Sequence, residues 1–511
     1  MNLPTRLAEI ARVSPGQEAI VFKNQRLTYT QLDTRVSQLA SGLKQLGIKT
    51  GDRVLLAMRN CPEYVIAYYA IMRMKGIVVP VNPHYTINEM GVIIKDCQPA
   101  AVITCPEKQE LFEKISRTIK IPAGIIVNSC DPEKEDIFTY EQINKKGTAA
   151  FQEVKYSHED VAEIMYTAGQ AGKPKGAMLT SYNLYSNALT FAQVCSLSPA
   201  DRALLTAPVY HAAAQTCVMN GTIVSGGTLV IQEGWRGAEE VLKEIAEEKI
   251  TFFFGTPTMY SLLLKYPELD KCNVKSLRIA LCGGASLPPG LYESMISKLG
   301  ISLVEGYGLT ETSPVVTINF IGESGKRGSV GKPIPGVEVK IFDYEDREVP
   351  KGQVGEIVVR GPNVMKGYLN LEEETRWLMR NDWFHTGDLA YEDNDGYIYI
   401  VDRKKDLIIR GGLNINPREI EEVLYDHPGI FEVAVVGVPD AVMGEEILAY
   451  IMPREGHEMT EAELKTFCKD KMAKYKIPRY FRFVDNLPKT SSGKLMRKEL
   501  QSWMAKQKPP V

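Results

Sequence analysis

From residue 166 the chain reads Tyr166-Thr167-Ala168-Gly169-Gln170-Ala171-Gly172-Lys173-Pro174-Lys175-Gly176, directly after the largely apolar residues 162–165. Its glycines and small residues free successive backbone N–H groups to point inward, and its two lysines supply positive charge. The pattern predicts a loop that can cradle a polyphosphate. It is not a Walker A loop, because Pro174 occupies the position where a Ser or Thr would bind magnesium. Taken alone, the segment is also compatible with an ordinary flexible turn.

Strand and helix signals alternate around this loop. Residues 53–58 form a short apolar run, residues 62–75 have a helical pattern, and residues 76–80 are apolar again. An earlier helix is predicted from Thr28, with Thr30 and Asp33 as its capping box. Alternating strands and helices favour a parallel sheet that is covered by helices on both faces, so we predict an α/β fold.

The pattern changes after about residue 330. Residues 337–342 and 356–360 are strand-like and flank a polar turn, which predicts a small β-rich portion. The charged run Asp402-Arg403-Lys404-Lys405-Asp406 then separates two apolar segments, and we place a domain boundary there. We expect a large N-terminal domain of parallel-rich sheets over 1–402 and a small, mobile α+β domain over 403–511.

Composition excludes several classes of function. The 511 residues include 60 Lys and Arg against 63 Asp and Glu, and this balance provides no electrostatic footprint for nucleic acid. No stretch reads as an integral membrane segment and the first residues lack a signal-peptide pattern, so we expect a cytoplasmic protein. The nine cysteines and six histidines lack metal-ligand spacing, so we expect no zinc site. The oligomeric state is undetermined, and a homodimer stays open.

A second polar segment follows the apolar residues 301–304. It reads Glu305-Gly306-Tyr307-Gly308-Leu309-Thr310-Glu311-Thr312, and we expect it to lie beyond a strand end that opens into a cleft. There Tyr307 can stack on a purine, Thr310 can contact a phosphate oxygen, and Glu311 can bind magnesium, which prefers oxygen ligands. A glycine turn with a capping Thr is an equally good interpretation of this segment alone.

Two further segments carry side chains suited to a nucleotide. Trp383-Phe384-His385-Thr386-Gly387-Asp388 places a carboxylate after a short turn, where it can accept two hydrogen bonds from ribose hydroxyls. Lys494 lies in a polar loop before a basic C-terminal helix. Taken singly, such an Asp is most often a cap or turn residue, and such a lysine is most often solvated.

Together these segments resemble the adenylate-forming (AMP-binding) superfamily, specifically its fatty acyl-CoA synthetases. The resemblance runs almost from end to end and rests on the order and spacing of the phosphate loop, residues 305–312, 384–388 and 402–410, and the Lys494 loop. Such enzymes use ATP and Mg²⁺ to convert a carboxylic acid to an acyl-adenylate and then transfer the acyl group to coenzyme A. The resemblance implies the same activity here, with a fatty acid as the small-molecule substrate.

The resemblance assigns nucleotide-binding roles to specific residues. The ATP phosphates would be contacted by Thr167, Gly169, Gln170, Gly172 and Lys175. Adenine would be enclosed by Gly283, Gly284, Ala285, Glu305, Gly306, Tyr307 and Gly308. Asp388 and Arg403 would hold the ribose, Thr310 would serve phosphate, and Glu311 would bind magnesium.

The resemblance also implies a division of labour between two half-reactions. Lys494 would bridge the acyl carboxylate and the α-phosphate during adenylation and stabilise charge as pyrophosphate leaves. Lys405 would lie at the hinge about which the C-terminal domain rotates. Gly411 and Gly412 would then leave room for a pantetheine tunnel. Tyr210 and His211 would border the acyl pocket.

The phosphate loop departs from the family pattern, which usually has Ser-Gly followed by hydroxyl residues. Ala168, Gln170 and Ala171 stand at the matching positions, so three hydroxyl donors are missing. Each lost contact would cost about 1 to 3 kcal/mol if it acts in the transition state. Two alternatives therefore stay open. One is an adenylate-forming enzyme with a carrier-protein or amine acceptor, and the other is a catalytically impaired protein that still binds nucleotide or acyl ligand.

Overall fold

The computed structural model describes residues 1–511 except for 129–136, 150, 152–154, 168–173, 285–286, 288, 302, 322–324, 404–405, 412, 441, 458, 470, 490–494 and 507–511. The described strands form two large mixed sheets, a smaller antiparallel sheet and a C-terminal sheet. Helices cover the large sheets. The predicted fold class is therefore confirmed.

The helices and strands have the following bounds. The α-helices are α1 (Leu3–Val13), α2 (Tyr29–Gln45), α3 (Pro62–Arg73), α4 (Ile87–Cys97), α5 (Gln109–Ser116), α6 (Tyr140–Lys146), α7 (Ser181–Val194), α8 (Gly221–Ser225), α9 (Ala238–Glu247), α10 (Pro257–Leu264), α11 (Pro289–Leu299), α12 (Glu372–Leu378), α13 (Pro417–Tyr425), α14 (Glu461–Lys469) and α15 (Arg497–Lys506). A π-helix spans Ala214–Asn220, and 3-10 turns span Pro106–Lys108, Leu269–Lys271, Thr310–Thr312, Arg380–Asp382 and Lys474–Lys476. The strands are β1 (Glu18–Phe22), β2 (Gln25–Thr28), β3 (Arg53–Ala57), β4 (Ile77–Pro80), β5 (Ala101–Thr104), β6 (Ile125–Val127), β7 (Ile137–Thr139), β8 (Val161–Thr167), β9 (Lys175–Thr180), β10 (Arg202–Leu205), β11 (Thr228–Ile231), β12 (Phe252–Gly255), β13 (Ile279–Cys282), β14 (Leu303–Gly308), β15 (Val315–Ile318), β16 (Lys332–Pro333), β17 (Glu338–Phe342), β18 (Gly355–Arg360), β19 (Gly367–Tyr368), β20 (Phe384–Glu392), β21 (Ile398–Arg403), β22 (Ile408–Arg410), β23 (Leu413–Ile415), β24 (Ile430–Asp440), β25 (Gly444–Pro453) and β26 (Tyr480–Phe483).

The two large sheets have parallel centres and antiparallel edges. One follows the order β19-β9-β8-β4-β3-β5-β6-β7 and is parallel from β8 to β7. The other follows β16-β15-β14-β13-β12-β10-β11-β1-β2 and is parallel from β14 to β1. A single apolar core contains residues of both sheets, such as Leu56 and Leu205, together with the buried helix α3. Strands that are covered on both faces explain the continuous apolar runs in the sequence.

Helix α2 lies where the sequence predicts it, but its capping box differs. Thr28 Oγ1 accepts from Gln31 N at 3.3 Å, and Gln31 Oε1 accepts from Thr28 N at 2.9 Å. The prediction of Thr30 and Asp33 was wrong because β2 keeps the backbone extended through Thr28, which makes Thr28 the last non-helical residue. Asp33 instead pairs with the buried Arg73 at 2.5 Å.

The C-terminal part is an α+β unit. Its sheet follows β23-β22-β25-β24, with β26 parallel to β25. Pro417 is the first residue of α13. Thr460 and Glu463 form a capping box before α14, with Glu463 N donating to Thr460 Oγ1 at 3.3 Å and Thr460 N to Glu463 Oε2 at 2.7 Å. The proposed boundary between residues 402 and 403 falls at the last residue of β21.

Among the described residues, hydrogen bonds and a ring contact join the C-terminal unit to the rest of the chain. Arg418 Nη1 donates to Ile400 O at 2.7 Å, and Asn416 Nδ2 donates to Val401 O at 3.1 Å. The Lys265 ammonium lies 3.5 Å from the centroid of the Phe431 ring.

Among the described residues, no helix is both long enough and apolar enough to cross a bilayer.

Candidate functional site

Two adjacent parallel strands bring the predicted adenine-binding residues together. Cys282 of β13 is the register partner of Glu305 in β14, so Gly283 and Gly284 lie beside residues 305–308. A side chain at Gly308 would place its Cβ 1.9 Å from Pro314 O, which explains why glycine occupies this position. Of the predicted group, Ala285 lies outside the described residues.

The sequence suggested that residues 305–308 lie beyond the end of a strand, and this prediction was wrong. They belong to β14, because β15 turns back and pairs with them in antiparallel fashion, with Tyr307 opposite Thr317. Gly306 also faces this ladder, since an added Cβ would lie 3.2 Å from Thr317 O. The glycines therefore allow two backbones to approach each other closely.

Glu305, within β14, carries a buried carboxyl group. Its Oε1 accepts a hydrogen bond from Leu287 N at 3.3 Å. Burial raises the pKa of Glu305 to about 7, although the Leu287 N–H and the charge of Arg418 act in the opposite direction. The side chain therefore holds the backbone of Leu287, which follows β13.

Tyr307 and Asp388 form the polar centre of the site. The Tyr307 hydroxyl donates to Asp388 Oδ2 at 2.6 Å, and Asp388 is only 5% exposed. Asp388 lies in β20, and its register partner in β21 is Arg403. The structure thus brings together the backbone positions of the two residues that the sequence assigns to the ribose.

A buried glutamate that the sequence reasoning missed holds the segment before Asp388. Glu356 of β18 accepts from Gly387 N at 2.9 Å through Oε1, and its Oε2 lies 3.2 Å from His385 Nδ1. Gly387 has φ +74°, a conformation that favours glycine. The predicted turn is therefore a glycine irregularity inside β20. The sequence signal for Glu356 was a carboxylate directly before the apolar residues 357–359.

A second cluster joins the phosphate-loop lysine to the predicted magnesium ligand. Glu311 lies next to Thr310 in the 3-10 turn, and its Oε1 accepts a 2.6 Å hydrogen bond from the Tyr368 hydroxyl. Lys175 lies 5.4 Å from the centroid of the Tyr368 ring and pairs with Glu374. Burial and the neighbouring Glu311 carboxylate raise the pKa of Tyr368, so its hydroxyl stays protonated and can donate. Sequence reasoning missed both Tyr368 and Glu374.

The phosphate loop itself is described only at its two ends. Thr167 ends β8 and is the register partner of Lys175, which begins β9. Gly169, Gln170 and Gly172 lie outside the described residues, as do Lys405, Gly412 and Lys494. Their predicted roles stay proposals.

The glycine hairpin of the C-terminal unit is held within its own sheet. Gly411 has φ +57°, and its N–H donates to Met443 O at 2.8 Å. The neighbouring Arg410 makes two hydrogen bonds to Glu446, at 2.7 and 2.9 Å. Ile409 and Leu413 on either side are exposed.

The predicted acyl-side residues lie at the start of a buried helix. The rings of Tyr210 and His211 are 4.9 Å apart, and His211 O accepts from Gln215 N at 2.9 Å. The π-helix that contains Gln215 is buried along its whole length. Such π-segments often occur at functional sites.

A buried polar cluster lies against this π-helix. Gln215 Nε2 donates to both oxygens of Glu163 at 2.8 Å, and the Tyr68 hydroxyl donates to Glu163 Oε2 at 2.9 Å. The Tyr64 hydroxyl donates to Gln215 Oε1 at 3.4 Å. Burial raises the pKa of Glu163 to about 7, while the Gln215 and Tyr68 donors hold it lower than burial alone would. The cluster ties α3, β8 and the π-helix together.

We expect Glu163→Gln to change the pH dependence of stability. An unfolded Glu titrates near pH 4.5 and Glu163 near pH 7, so the folded chain binds the proton more tightly and stability falls as pH rises between these values. The unfolding free energy of the variant minus that of the wild type should therefore be larger at pH 8 than at pH 5, by about 3 kcal/mol. Urea unfolding of both proteins at the two pH values measures this gain. Glu305 is present in both and cancels, and an equal difference at both pH values would contradict the prediction.

A cleft opens where strands of both large sheets end. It has a volume of about 260 Å³, follows the carboxyl ends of β3, β4, β10 and β11, and is lined by Arg59, His84, Tyr210, Glu233, Trp235 and Arg236. Asn60 joins its walls, since Nδ2 donates to Ala207 O at 3.0 Å and Oδ1 accepts from Val209 N at 2.9 Å. Burial and the charges of Lys108 and Arg59 lower the pKa of His84. Arg236 pairs with Glu233 of the same lining, so Arg59 supplies the cleft's positive charge at neutral pH.

Comparison with known proteins agrees with this geometry. The AMP-binding enzyme family matches residues 7–369, and the AMP-binding enzyme C-terminal domain matches residues 419–494. A feruloyl-CoA synthase of Amycolatopsis sp is 37% identical over 494 residues, which cover 96% of each chain. A long-chain-fatty-acid–CoA ligase of Bacillus subtilis (strain 168) is 36% identical over 530 residues, which cover 98% of this chain and 94% of the relative.

Solved structures give the same result. ATP-bound MatB from Rhodopseudomonas palustris superposes with a TM-score of 0.91 at 31% identity, and 99% of each chain is covered. A benzoate CoA ligase from Burkholderia xenovorans LB400 has a TM-score of 0.89 at 26% identity, with 98% of this chain and 100% of the other covered. The chain therefore belongs to the AMP-binding, adenylate-forming enzyme family, and within it to the acyl-CoA ligases.

Proposed function

We propose that this chain activates a fatty acid with ATP as an acyl-adenylate and then transfers the acyl group to coenzyme A. The observation that carries the proposal is that two polar clusters lie at the end of β14, one at Tyr307 within the strand and the other at Glu311 in the 3-10 turn that follows it. One pairs Tyr307 with Asp388, and the other joins Lys175, through Tyr368, to Glu311. The first suits a ribose, and the second suits a polyphosphate with its metal.

The chemistry needs no protein nucleophile. In the first step a carboxylate oxygen bonds to the α-phosphorus of ATP, and the bond to pyrophosphate breaks. In the second step the thiol of coenzyme A loses its proton and attacks the acyl carbon, and AMP leaves with the acid's oxygen. ATP provides the activation, so the protein's task is to position the reactants and stabilise developing charge.

Each proposed role follows from the chemistry of the side chain. The Asp388 carboxylate can accept two ribose hydrogen bonds, and Lys175 can contact phosphate oxygens. Glu311 and the adjacent Thr310 present half-buried oxygen ligands, which fit Mg²⁺, and the Tyr368 hydroxyl orients the Glu311 carboxylate. Mg²⁺ would neutralise phosphate charge when bound. Lys494 would bridge the reacting carboxylate and α-phosphate.

The arginine-containing cleft suits the phosphates of coenzyme A. Arg59 supplies positive charge, Arg236 pairs with Glu233 of the same lining, and Trp235 offers an aromatic face to a nucleotide base. The strands that border the cleft, β10 and β11, run parallel to β13 and β14, so the cleft and the nucleotide cluster open at the same edge of the sheet. This position supports coenzyme A as the acyl acceptor, in preference to a carrier protein or an amine.

Two acid classes are supported by named relatives. The long-chain-fatty-acid–CoA ligase of Bacillus subtilis supports a fatty acid, and the feruloyl-CoA synthase supports an aromatic acid as the second candidate. The residues that follow His211 are small and apolar (Ala212, Ala213 and Ala214), which suits an apolar acyl chain. The fatty acid is therefore our first choice.

A panel of acids tests the proposal. Octanoate, palmitate, ferulate and benzoate are each supplied with ATP, Mg²⁺ and coenzyme A, and both pyrophosphate release and the thioester are measured. We expect a fatty acid to have the highest kcat/KM, by about tenfold or more, since each buried methylene adds to binding. A preference for ferulate would move the protein to the aromatic class. Calorimetric binding of ATP without pyrophosphate release for any acid would favour the catalytically impaired alternative.

A further inference from the structure

We propose that Glu374 is a positioning residue that holds Lys175 before nucleotide binds and is displaced by the polyphosphate of ATP. Glu374 would thereby weaken the affinity of the site for ATP. The proposal rests on the ATP-dependent adenylation described above. It concerns a residue outside every motif that the sequence singled out.

The position of Glu374 is fixed by a short strand that pairs with the end of the phosphate loop. Lys366 N donates to Met178 O at 2.9 Å, and Leu369 N donates to Gly176 O at 2.8 Å, so β19 is attached to β9 on both sides. Thr375 Oγ1 accepts from Tyr368 N at 2.9 Å, which joins α12 to β19. The helix that carries Glu374 is therefore anchored beside Lys175.

The ion pair is shielded from water to an intermediate degree. The Lys175 side chain is 18% exposed and the Glu374 side chain is 34% exposed. Glu372 and Glu373 of the same turn are exposed, so the face of α12 that carries Glu374 is the one turned toward Lys175. The pair is thus a local feature and is not shared by the whole acidic turn.

Lys175 also connects Glu374 to the proposed metal ligand. Its ammonium lies 5.4 Å from the Tyr368 ring centroid, and the Tyr368 hydroxyl donates to Glu311 at 2.6 Å. A phosphate that approaches Glu311 therefore also approaches the ammonium that Glu374 neutralises. Two anions that compete for one ammonium repel each other, so ATP must displace Glu374 or bind beside an uncompensated carboxylate.

The composition of the phosphate loop makes this competition consequential. Ala168, Gln170 and Ala171 leave the loop without three hydroxyl donors that its relatives usually have. Lys175 then provides a larger share of the contact with the polyphosphate. Neutralising Glu374 removes the anion that competes with the ATP phosphates for Lys175, so it should strengthen ATP binding.

The test compares Glu374→Gln with Glu373→Gln, which makes the same change in charge one residue away on the exposed face. Calorimetry measures the Kd for ATP in EDTA, so that no turnover occurs, and kinetics with Mg²⁺ give KM for ATP and for the acid. Glu374→Gln should lower the Kd for ATP about threefold to tenfold, the scale of one partly exposed ion pair, and leave KM for the acid unchanged. Glu373→Gln should change the Kd by less than about twofold.

Further variants separate the possible causes. Glu374→Ala should change the Kd in the same direction, and thermal unfolding checks that each variant is folded. In a Lys175→Met background the effect of Glu374→Gln should shrink to less than about twofold, because the two residues act as a pair. An undiminished effect there would show that Glu374 does not act through Lys175.

Failure of the inference differs from failure of the proposed function. If the wild type binds ATP and releases pyrophosphate but Glu374→Gln leaves the Kd unchanged or raises it, the positioning role is wrong. If the wild type neither binds ATP nor releases pyrophosphate with any acid, the proposed function is wrong as well.

Discussion

Replacement of Asp388 by alanine is expected to lower kcat/KM for ATP about 100-fold to 1000-fold, because two charge-assisted hydrogen bonds to the ribose would be lost. Asp388 is 5% exposed and accepts a hydrogen bond from the Tyr307 hydroxyl, so the carboxylate is held in one place before substrate arrives. Removal of a side chain that is already positioned for its substrate lowers kcat/KM strongly. Pyrophosphate release as a function of ATP concentration measures the loss.

Substrate analogues separate a ribose contact from general damage to the site. The wild type should use 2′-deoxyATP about tenfold less well than ATP, since one hydrogen bond to the carboxylate is absent. Asp388→Ala should use the two nucleotides equally well. If the variant still discriminates as the wild type does, Asp388 does not contact the ribose.

The residues around this site could be predicted from the sequence only where local pattern decides their position. Apolar runs followed by glycines located β14 and the polar residues at its end, because a buried strand and its exit are local features. The extension of β14 through Gly308 could not be predicted, since it depends on pairing with β15. The capping box at Thr28 was missed for the same reason, because the end of β2 decides where α2 begins.

The supporting residues were missed because they come from distant parts of the chain. Tyr368 and Glu374 reach Lys175 only because β19 pairs with β9. These two strands are nearly two hundred residues apart in the sequence. Glu374 in an acidic first turn is typical of any helix start, so nothing local distinguished it. Glu163 interrupts an apolar strand, but only the burial of α3 and the π-helix shows that its carboxyl faces Gln215 and not solvent.

Replacement of Lys494 by alanine is expected to lower the rate of adenylate formation about 100-fold to 1000-fold, the usual cost of removing a group that stabilises transition-state charge. As the α-phosphate is attacked, negative charge accumulates on its oxygens and on the departing pyrophosphate. The phosphate loop lacks three hydroxyl donors, so an ammonium beside these oxygens has few substitutes. Lys498, which is exposed in α15, provides the control, and Lys498→Ala should retain the wild-type rate.

The most direct measurement compares the two half-reactions in Lys494→Ala. Stopped assays follow acyl-AMP formation from acid and ATP and, separately, thioester formation from synthetic acyl-AMP and coenzyme A. We predict that the first rate falls about 100-fold or more while the second stays within about threefold of the wild type, because the proposed role of the lysine is to stabilise charge in the step in which pyrophosphate leaves. An unchanged rate of acyl-AMP formation, or an equal fall in both rates, would contradict the proposed mechanism.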